Sequence, residues 1–211
     1  MSSIYELASE RRSIRKYEDK EIPLDDIEYF IKTAVTAPSG CNSQCWRFVA
    51  VKSKDTIQQL ANEVCDESSA FYANFVDDQG YIERKGKAAT FFKNAPLVIA
   101  VFMSKLEYYD QKTIDVFDKK GYDHAAMMRE MSYPDVLSIG AAIQNLLLAV
   151  QEKGYGACWM NEPTIAGKKV NRLLGVSEEL QFMSLISIGS SAYSPRNKKM
   201  KDLNEIFKII D

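Results

Sequence analysis

Four stretches of this chain carry residue types that grip small anionic or planar ligands. The first is Arg11-Arg12-Ser13-Ile14-Arg15-Lys16-Tyr17. Its cations repel one another unless water or an anion compensates them. The run reads either as a solvated basic patch or as a phosphate clamp, with guanidinium forks on phosphate oxygens and Ser13 adding a hydroxyl donor. The second is Ala37-Pro38-Ser39-Gly40-Cys41-Asn42-Ser43-Gln44-Cys45-Trp46-Arg47-Phe48. Ser39, Asn42, Ser43 and Gln44 can each donate and accept hydrogen bonds. Pro38 stiffens the entry, and Gly40 is expected to let the backbone turn or approach another group. The same stretch also fits an ordinary helix-to-strand loop. The third is the strand end Asn161-Glu162-Pro163, and the fourth the basic run Pro195-Arg196-Asn197-Lys198-Lys199-Met200-Lys201.

The usual self-sufficient catalytic schemes are missing. No G-x-G-x-x-G opens a βαβ unit, and neither a Walker A lysine motif nor a G-x-S-x-G elbow occurs. A serine–histidine pair would depend on His124, the one histidine. No pair of carboxylates stands out from the charged surface. Cys41 and Cys45 have a metal-like spacing, but no second pair follows, so no metal is expected and the cysteines read as reduced, partly buried thiols. Hard chemistry is then expected from a borrowed cofactor.

The elements that must position these groups follow from periodicity. Ile4 to Ser9 reads as a short helix. Pro23 to Ile27 opens another with acidic residues in its first turn, and Ile27, Phe30, Ile31, Ala34 and Val35 continue it. Phe48 to Val51 is a short strand, and Lys54 to Val64 is helical. Residues 66–94 mix aromatics, charges and two interrupting glycines, and read as a flexible or capping segment with one helix near Lys87 to Phe92. Pro96 to Phe102 is the clearest strand. Residues 105–131 are polar and aromatic (Tyr108, Tyr109, Phe117, Tyr122), a surface excursion or lid whose aromatics either cover a ligand or hold the insertion down. Pro134 to Lys153 is a helix apolar nearly all round, buried in a core or between subunits. Ala157 to Met160 and Ser184 to Gly189 are strands around a short helix, Lys168 to Leu174, and Leu203 to Ile209 is an apolar tail.

With 211 residues, 46% hydrophobic and 27% charged, the chain can form one sizeable soluble domain. A net charge of −2 argues against a general nucleic-acid binder. No run approaches the roughly 18 apolar residues of a membrane span. The first residues lack the basic and apolar regions of a signal peptide, so the expected location is cytoplasmic, with no membrane partner. Irregular alternation of helices and strands favours an α+β or mixed α/β domain.

Taken in order, R-R-S-I-R-K-Y, A-P-S-G-C-N-S-Q-C-W-R-F, S-I-G-A-A-I-Q-N-L-L-L-A-V-Q-E-K-G-Y-G-A-C-W-M and G-S-S-A-Y-S-P-R-N-K-K resemble the nitroreductase family of FMN-dependent oxidoreductases. The resemblance implies one domain over 1–211, a mixed, mainly antiparallel sheet flanked by helices, with 66–94 and 105–131 variable or lid-like. It implies an intertwined homodimer with FMN at the interface. Arg11, Arg12, Ser13 and Arg15 would surround the flavin's phosphate, ribityl chain and pyrimidine side. Arg196, with Lys198 or Lys199, would complete the phosphate site. Pro38, Ser39, Gly40, Asn42 and Gln44 would come from the partner subunit, and the backbone at Asn161 and Glu162 would donate to flavin N5. No side-chain acid or base is obligatory.

The implied activity passes hydride from NADH or NADPH to a nitroaromatic, quinone or related electrophilic acceptor in two alternating half-reactions. Alternatives on the same fold are a flavin-dependent dehalogenase, an oxidase, an enoate-type reductase or a non-enzymatic FMN redox sensor. A different class is a basic-loop module for acidic or phosphorylated partners. The sequence departs from the family pattern at Gly40, where many relatives have a second serine, and at Asn161-Glu162, where many have a glycine. Glu162 would narrow the substrate site, disfavour anionic acceptors, or point away.

Overall fold

Leu97–Met103, apolar at every position, lies in the middle of its sheet, and the two-residue alternation of a strand explains the composition. The computed structural model describes residues 3–105 and 110–210. Among them are β1 (Trp46–Val51), β2 (Leu97–Met103), β3 (Gly156–Met160) and β4 (Gln181–Gly189), paired antiparallel in the order β1-β2-β4-β3. Leu97, Ile99, Val101 and Met103 pack into one core with Phe30, Ile143 and Leu146. Val98, Ala100 and Phe102 pack into a second with Leu60, Val64, Phe92 and Val170. A strand covered on both faces favours apolar residues at successive positions.

The helices are α1 (Ile4–Glu10), α2 (Leu24–Ala34), α3 (Lys54–Ala73), α4 (Gln79–Ala89), α5 (Gln111–Lys119), α6 (His124–Glu130), α7 (Pro134–Glu152), α8 (Gly167–Leu173) and α9 (Leu203–Ile206). The first core lies under α2 and α7, the second under α3 and α8. The result is an α+β fold with helices on both faces of one antiparallel sheet. Asp25 and Asp26 sit in the first turn of α2, where the helix dipole favours them.

Residues 66–94 are more regular than their composition suggests. Helix α3 runs on to Ala73, α4 follows, and a 3₁₀ turn spans Phe91–Asn94. Gly86, read as an interruption, is the point where α4 approaches α3. A Cβ there would stand 2.8 Å from Ser69 Oγ and 3.0 Å from Cys65 Sγ. Only glycine allows that approach without a shift. The segment 105–131 holds the two short helices α5 and α6, while Tyr108 and Tyr109 lie outside the described residues.

The basic N-terminal run is extended and lies beside the outer edge of β3. Ser13 pairs in parallel with Ala157, and the Ile14 N–H donates to the Ala157 carbonyl at 2.9 Å. Gly156 makes room for it, since a Cβ there would come within 2.4 Å of Ile14 Cγ1. Further on, Tyr17 pairs with Ser191, and the Ala192 N–H donates to the Lys16 carbonyl at 3.1 Å. The chain following β4 is thereby laid alongside the N-terminal arm.

Candidate functional site

The extended backbone of the N-terminal arm sorts its side chains by alternation. Ile14 goes into the interior. Ser13, Arg15 and Arg11 all act on the thiol of Cys158 in β3: burial pushes that thiol up, against the opposing pull of Arg15, Ser13 and Arg11. Arg15 is exposed, and its guanidinium carbon stands 5.8 Å from the centroid of the Phe91 ring, a cation–π distance. Arg12 takes a separate course. Its Nη1 donates to the carbonyls of Ser9 at 2.6 Å and Arg11 at 2.9 Å, and its Nε to the carbonyl of Arg196 at 3.1 Å. The two basic runs are therefore neighbours. Lys198 and Lys199 follow on the same exposed strand of chain.

Among the described residues, no carboxylate forms an ion pair with Arg11, Arg12, Arg15, Arg196, Lys198 or Lys199; the lysines and Arg172 elsewhere supply the ion pairs. A cluster of cations left uncompensated by the protein is suited to a multiply charged anion.

The end of β3 closes the other side. Arg15, Phe91, Cys158, Trp159, Asn161 and Glu162 line a cavity of about 230 Å³. Asn161 Oδ1 accepts from Trp159 Nε1 at 2.9 Å and from Ser184 Oγ at 3.2 Å, which ties this side chain back to the sheet. Glu162 Oε1 accepts from the Tyr72 hydroxyl at 3.1 Å. Both side chains at the strand end are thus engaged by protein donors. Glu162 lines the cavity while its carboxylate is tethered to α3.

The Pro38–Gln44 loop carries a left-handed backbone at non-glycine residues. Gly40 does not supply the unusual backbone; φ is +51° at Cys41, +53° at Asn42 and +47° at Gln44. Each left-handed non-glycine residue costs roughly 1–2 kcal/mol. Such strain persists only where surrounding contacts over-determine it. Here the Gln44 N–H donates to Ser39 Oγ at 3.0 Å, and the Gly40 N–H donates to Ser138 Oγ in α7 at 3.2 Å. Gln44 Nε2 also reaches Asn42 Oδ1 at 3.4 Å. Pro38, Asn42 and Gln44 remain exposed, and Ser39 and Gly40 half-buried.

This loop leads into β1, whereas Arg15 and Glu162 lie at β3, the opposite edge of the sheet. Three strand spacings, about 14 Å, separate those edges. One chain therefore gathers Arg15, Asn161 and Glu162 around a cavity, with Arg11 and Ser13 acting on its Cys158 and Arg12 bonded to the Arg196 carbonyl, while Pro38–Gln44 leads into the opposite edge of the sheet. Tyr72, Phe91 and Ser138 were missed by sequence reasoning. The first two fall in the segment read as flexible, and nothing local marks them; they matter only because α3 and the Phe91 turn pack beside the end of β3.

A larger cavity of about 570 Å³ touches Asn161 from another side, among Lys168, Asn171, Glu178 and Gln181. Its lysine is already paired with Glu178 at 3.7 Å, so it lacks the uncompensated charge of the Arg15 cavity.

The profile of the nitroreductase family matches residues 8–190. An iodotyrosine deiodinase from Thermotoga neapolitana is 28% identical over 197 residues, covering 90% of this chain and 89% of that protein. Among solved structures, a BluB-like flavoprotein from Clostridium difficile 630 superposes with a TM-score of 0.86 at 24% identity, over 100% of both chains. A nitroreductase with bound FMN from Bacteroides fragilis does so with a TM-score of 0.72 at 21% identity, also over 100% of both chains.

Proposed function

The chain belongs to the nitroreductase family, and from that premise we propose that it is an FMN-dependent oxidoreductase working as a homodimer with NADH or NADPH as co-substrate. One observation carries the reading: the basic runs from both ends of the chain are hydrogen-bonded to each other, Arg12 Nε to the Arg196 carbonyl, and Arg15, which forms no ion pair, lines the cavity at the end of β3. The residues fit the cofactor. Arg11, Arg12, Arg15 and Arg196, with Lys198 or Lys199, supply cations for a dianionic phosphate, and Ser13 adds a hydroxyl. Asn161 and Glu162 have their side chains drawn back to Trp159, Ser184 and Tyr72, which leaves backbone as the group they present at the strand end.

The chemistry FMN supplies when bound is hydride acceptance from the nicotinamide and, after its departure, hydride delivery to an acceptor such as a nitroaromatic or quinone. The protein's part is to bind, orient and stabilise negative charge with fixed N–H donors. Pro38, Ser39, Gly40, Asn42 and Gln44, which lead into the opposite edge of the sheet from Arg15, serve the site of the partner subunit. Exposed apolar side chains agree with a dimer: Leu137 on α7 is 65% exposed, and Phe207, Ile209 and Ile210 of the tail are 57%, 69% and 84% exposed. Among the described residues no helix is long and apolar enough to cross a membrane, and we place the protein in the cytoplasm as part of the same reading.

A second reading, reductive dehalogenation, is favoured by the near full-length match to an iodotyrosine deiodinase. Both are tested together. Purified protein is titrated with FMN by fluorescence, reduced anaerobically with NADH or NADPH while flavin absorbance is followed, then offered nitroaromatics, quinones and halogenated phenols. A colourless protein that FMN does not reconstitute defeats both readings.

A further inference from the structure

Glu162 is the one carboxylate among the residues lining the Arg15 cavity. It opens the 3₁₀ turn Glu162–Ala166, where Pro163 fixes the backbone, so only its side chain is free to reorient. What holds that side chain is Tyr72, the penultimate residue of α3, whose hydroxyl donates to Oε1 at 3.1 Å. The Tyr72 ring is itself fixed. Phe71 and Tyr81 meet it edge-on at 5.4 and 6.0 Å between centroids, and Lys85 Nζ stands 5.0 Å from its centroid. A cation over the ring draws electron density from the phenol and makes its O–H a better donor. The Lys85 ammonium is favoured in turn by Tyr72, then Tyr81, with Glu162 a smaller contribution. Tyr72, Lys85 and Tyr81 form a small bracket, built from α3 and α4, beside one carboxylate.

We propose that Tyr72 is a positioning residue that keeps the Glu162 carboxylate on α3 and thereby sets the reduction potential of the flavin. The proposal rests on the FMN reading above. Reduction adds negative charge to a flavin, and a nearby carboxylate opposes it in proportion to how close and how poorly compensated it is. With Tyr72 in place the carboxylate is hydrogen-bonded and drawn toward the helical bracket. Without the phenol O–H the carboxylate loses the donor that compensates it and stands in the Arg15 cavity with its charge less neutralised. A less compensated carboxylate lining the cavity would oppose the negative charge of a reduced flavin held there more strongly and lower its potential.

The test is the flavin midpoint potential of the FMN-loaded protein, measured by dye-equilibrated reductive titration in wild type, Tyr72→Phe, Glu162→Gln and the double variant. Phenylalanine preserves the ring and its packing, so a purely structural role for Tyr72 moves nothing. The expected result is a more negative potential in Tyr72→Phe, a more positive one in Glu162→Gln, and a double variant equal to Glu162→Gln alone. An unchanged potential in Tyr72→Phe overturns the proposal. So does a Tyr72→Phe shift that persists when Glu162 is glutamine, because the effect would not then pass through the carboxylate. Wild-type protein that takes up no FMN overturns the cofactor reading and this proposal together, whereas FMN uptake with an unmoved potential overturns this proposal alone.

Discussion

Arg12 and Arg196, 184 positions apart, meet where the Arg12 Nε–H donates to the Arg196 carbonyl oxygen at 3.1 Å. The same guanidinium also binds the carbonyls of Ser9 and Arg11. It is the stitch that fixes the second basic run against the first. Charge-assisted hydrogen bonds contribute about 1.5–3 kcal/mol each. Arg12→Ala is expected to weaken FMN binding by roughly tenfold or more, at about 1.4 kcal/mol per factor of ten. Arg12→Lys should restore little, since an ammonium does not reproduce the planar fork. Fluorescence titration with FMN measures both.

Gly156→Ala tests how the arm is seated. The added Cβ would meet Ile14 Cγ1 at 2.4 Å and Ile14 Cβ at 2.8 Å, both in a buried side chain. Overpacking of this kind costs about 1–3 kcal/mol. Urea unfolding should show that loss. FMN affinity should fall as well, although Gly156 carries no side chain to offer the ligand, because Arg11, Ser13 and Arg15 move with Ile14.

The separation of Asn42 from Arg15 across the sheet makes a complementation experiment decisive. Arg15→Ala and Asn42→Ala homodimers should each bind FMN poorly. A heterodimer of the two should recover one site of wild-type affinity, because the second site carries both changes. If the loop and the arm served one site within a single chain, every site would carry one change and none would recover. Equilibrium dialysis of tagged heterodimers counts the sites.

Truncation after Pro195 removes Leu203, Ile206, Phe207, Ile209 and Ile210, all exposed on the isolated chain. Apolar surface of this extent gains roughly 25 cal/mol per Å² when a partner covers it. The truncated protein is expected to sediment with a larger monomer fraction than the full chain at equal concentration. It should also bind FMN more weakly through the loss of Arg196.

Asp26 gives a pH signature. Lys153, at 2.8 Å, and then Tyr155, at 2.9 Å, hold its carboxyl below the ordinary aspartate range. A group whose folded pKa is depressed contributes stability that is present above its unfolded value and lost as pH falls through the folded one. The difference in melting temperature between wild type and Asp26→Asn should therefore be widest near neutrality and narrow on acidification below about pH 4. A gap that stays constant across that range would show that the carboxylate's charge is not what stabilises α2 against the end of α7.

What was legible in advance follows the range of the forces involved. Leu97–Met103 and Pro134–Glu152 are set by local periodicity and burial, so their patterns read directly. Gly86 misled because its meaning lies in a neighbour: in sequence it breaks a helix, in space it admits Cys65 and Ser69. The left-handed backbone at Cys41, Asn42 and Gln44 has no local signal, because the contact that holds the loop, Gly40 N–H to Ser138, spans 98 residues. Tyr72 had no signal at all without Glu162 beside it.

The amino-acid sequence alone determined the family, through basic and small polar motifs whose side-chain chemistry is intrinsic to each residue. It also determined the principal strands and helices, whose periodicity is local. Only the tertiary structure decided which cations meet, which carboxylate is restrained, and that the Asn42 loop stands at the far edge of the sheet from Arg15. Those are properties of distance between remote parts of the chain, fixed by strand order and packing rather than by neighbouring residues.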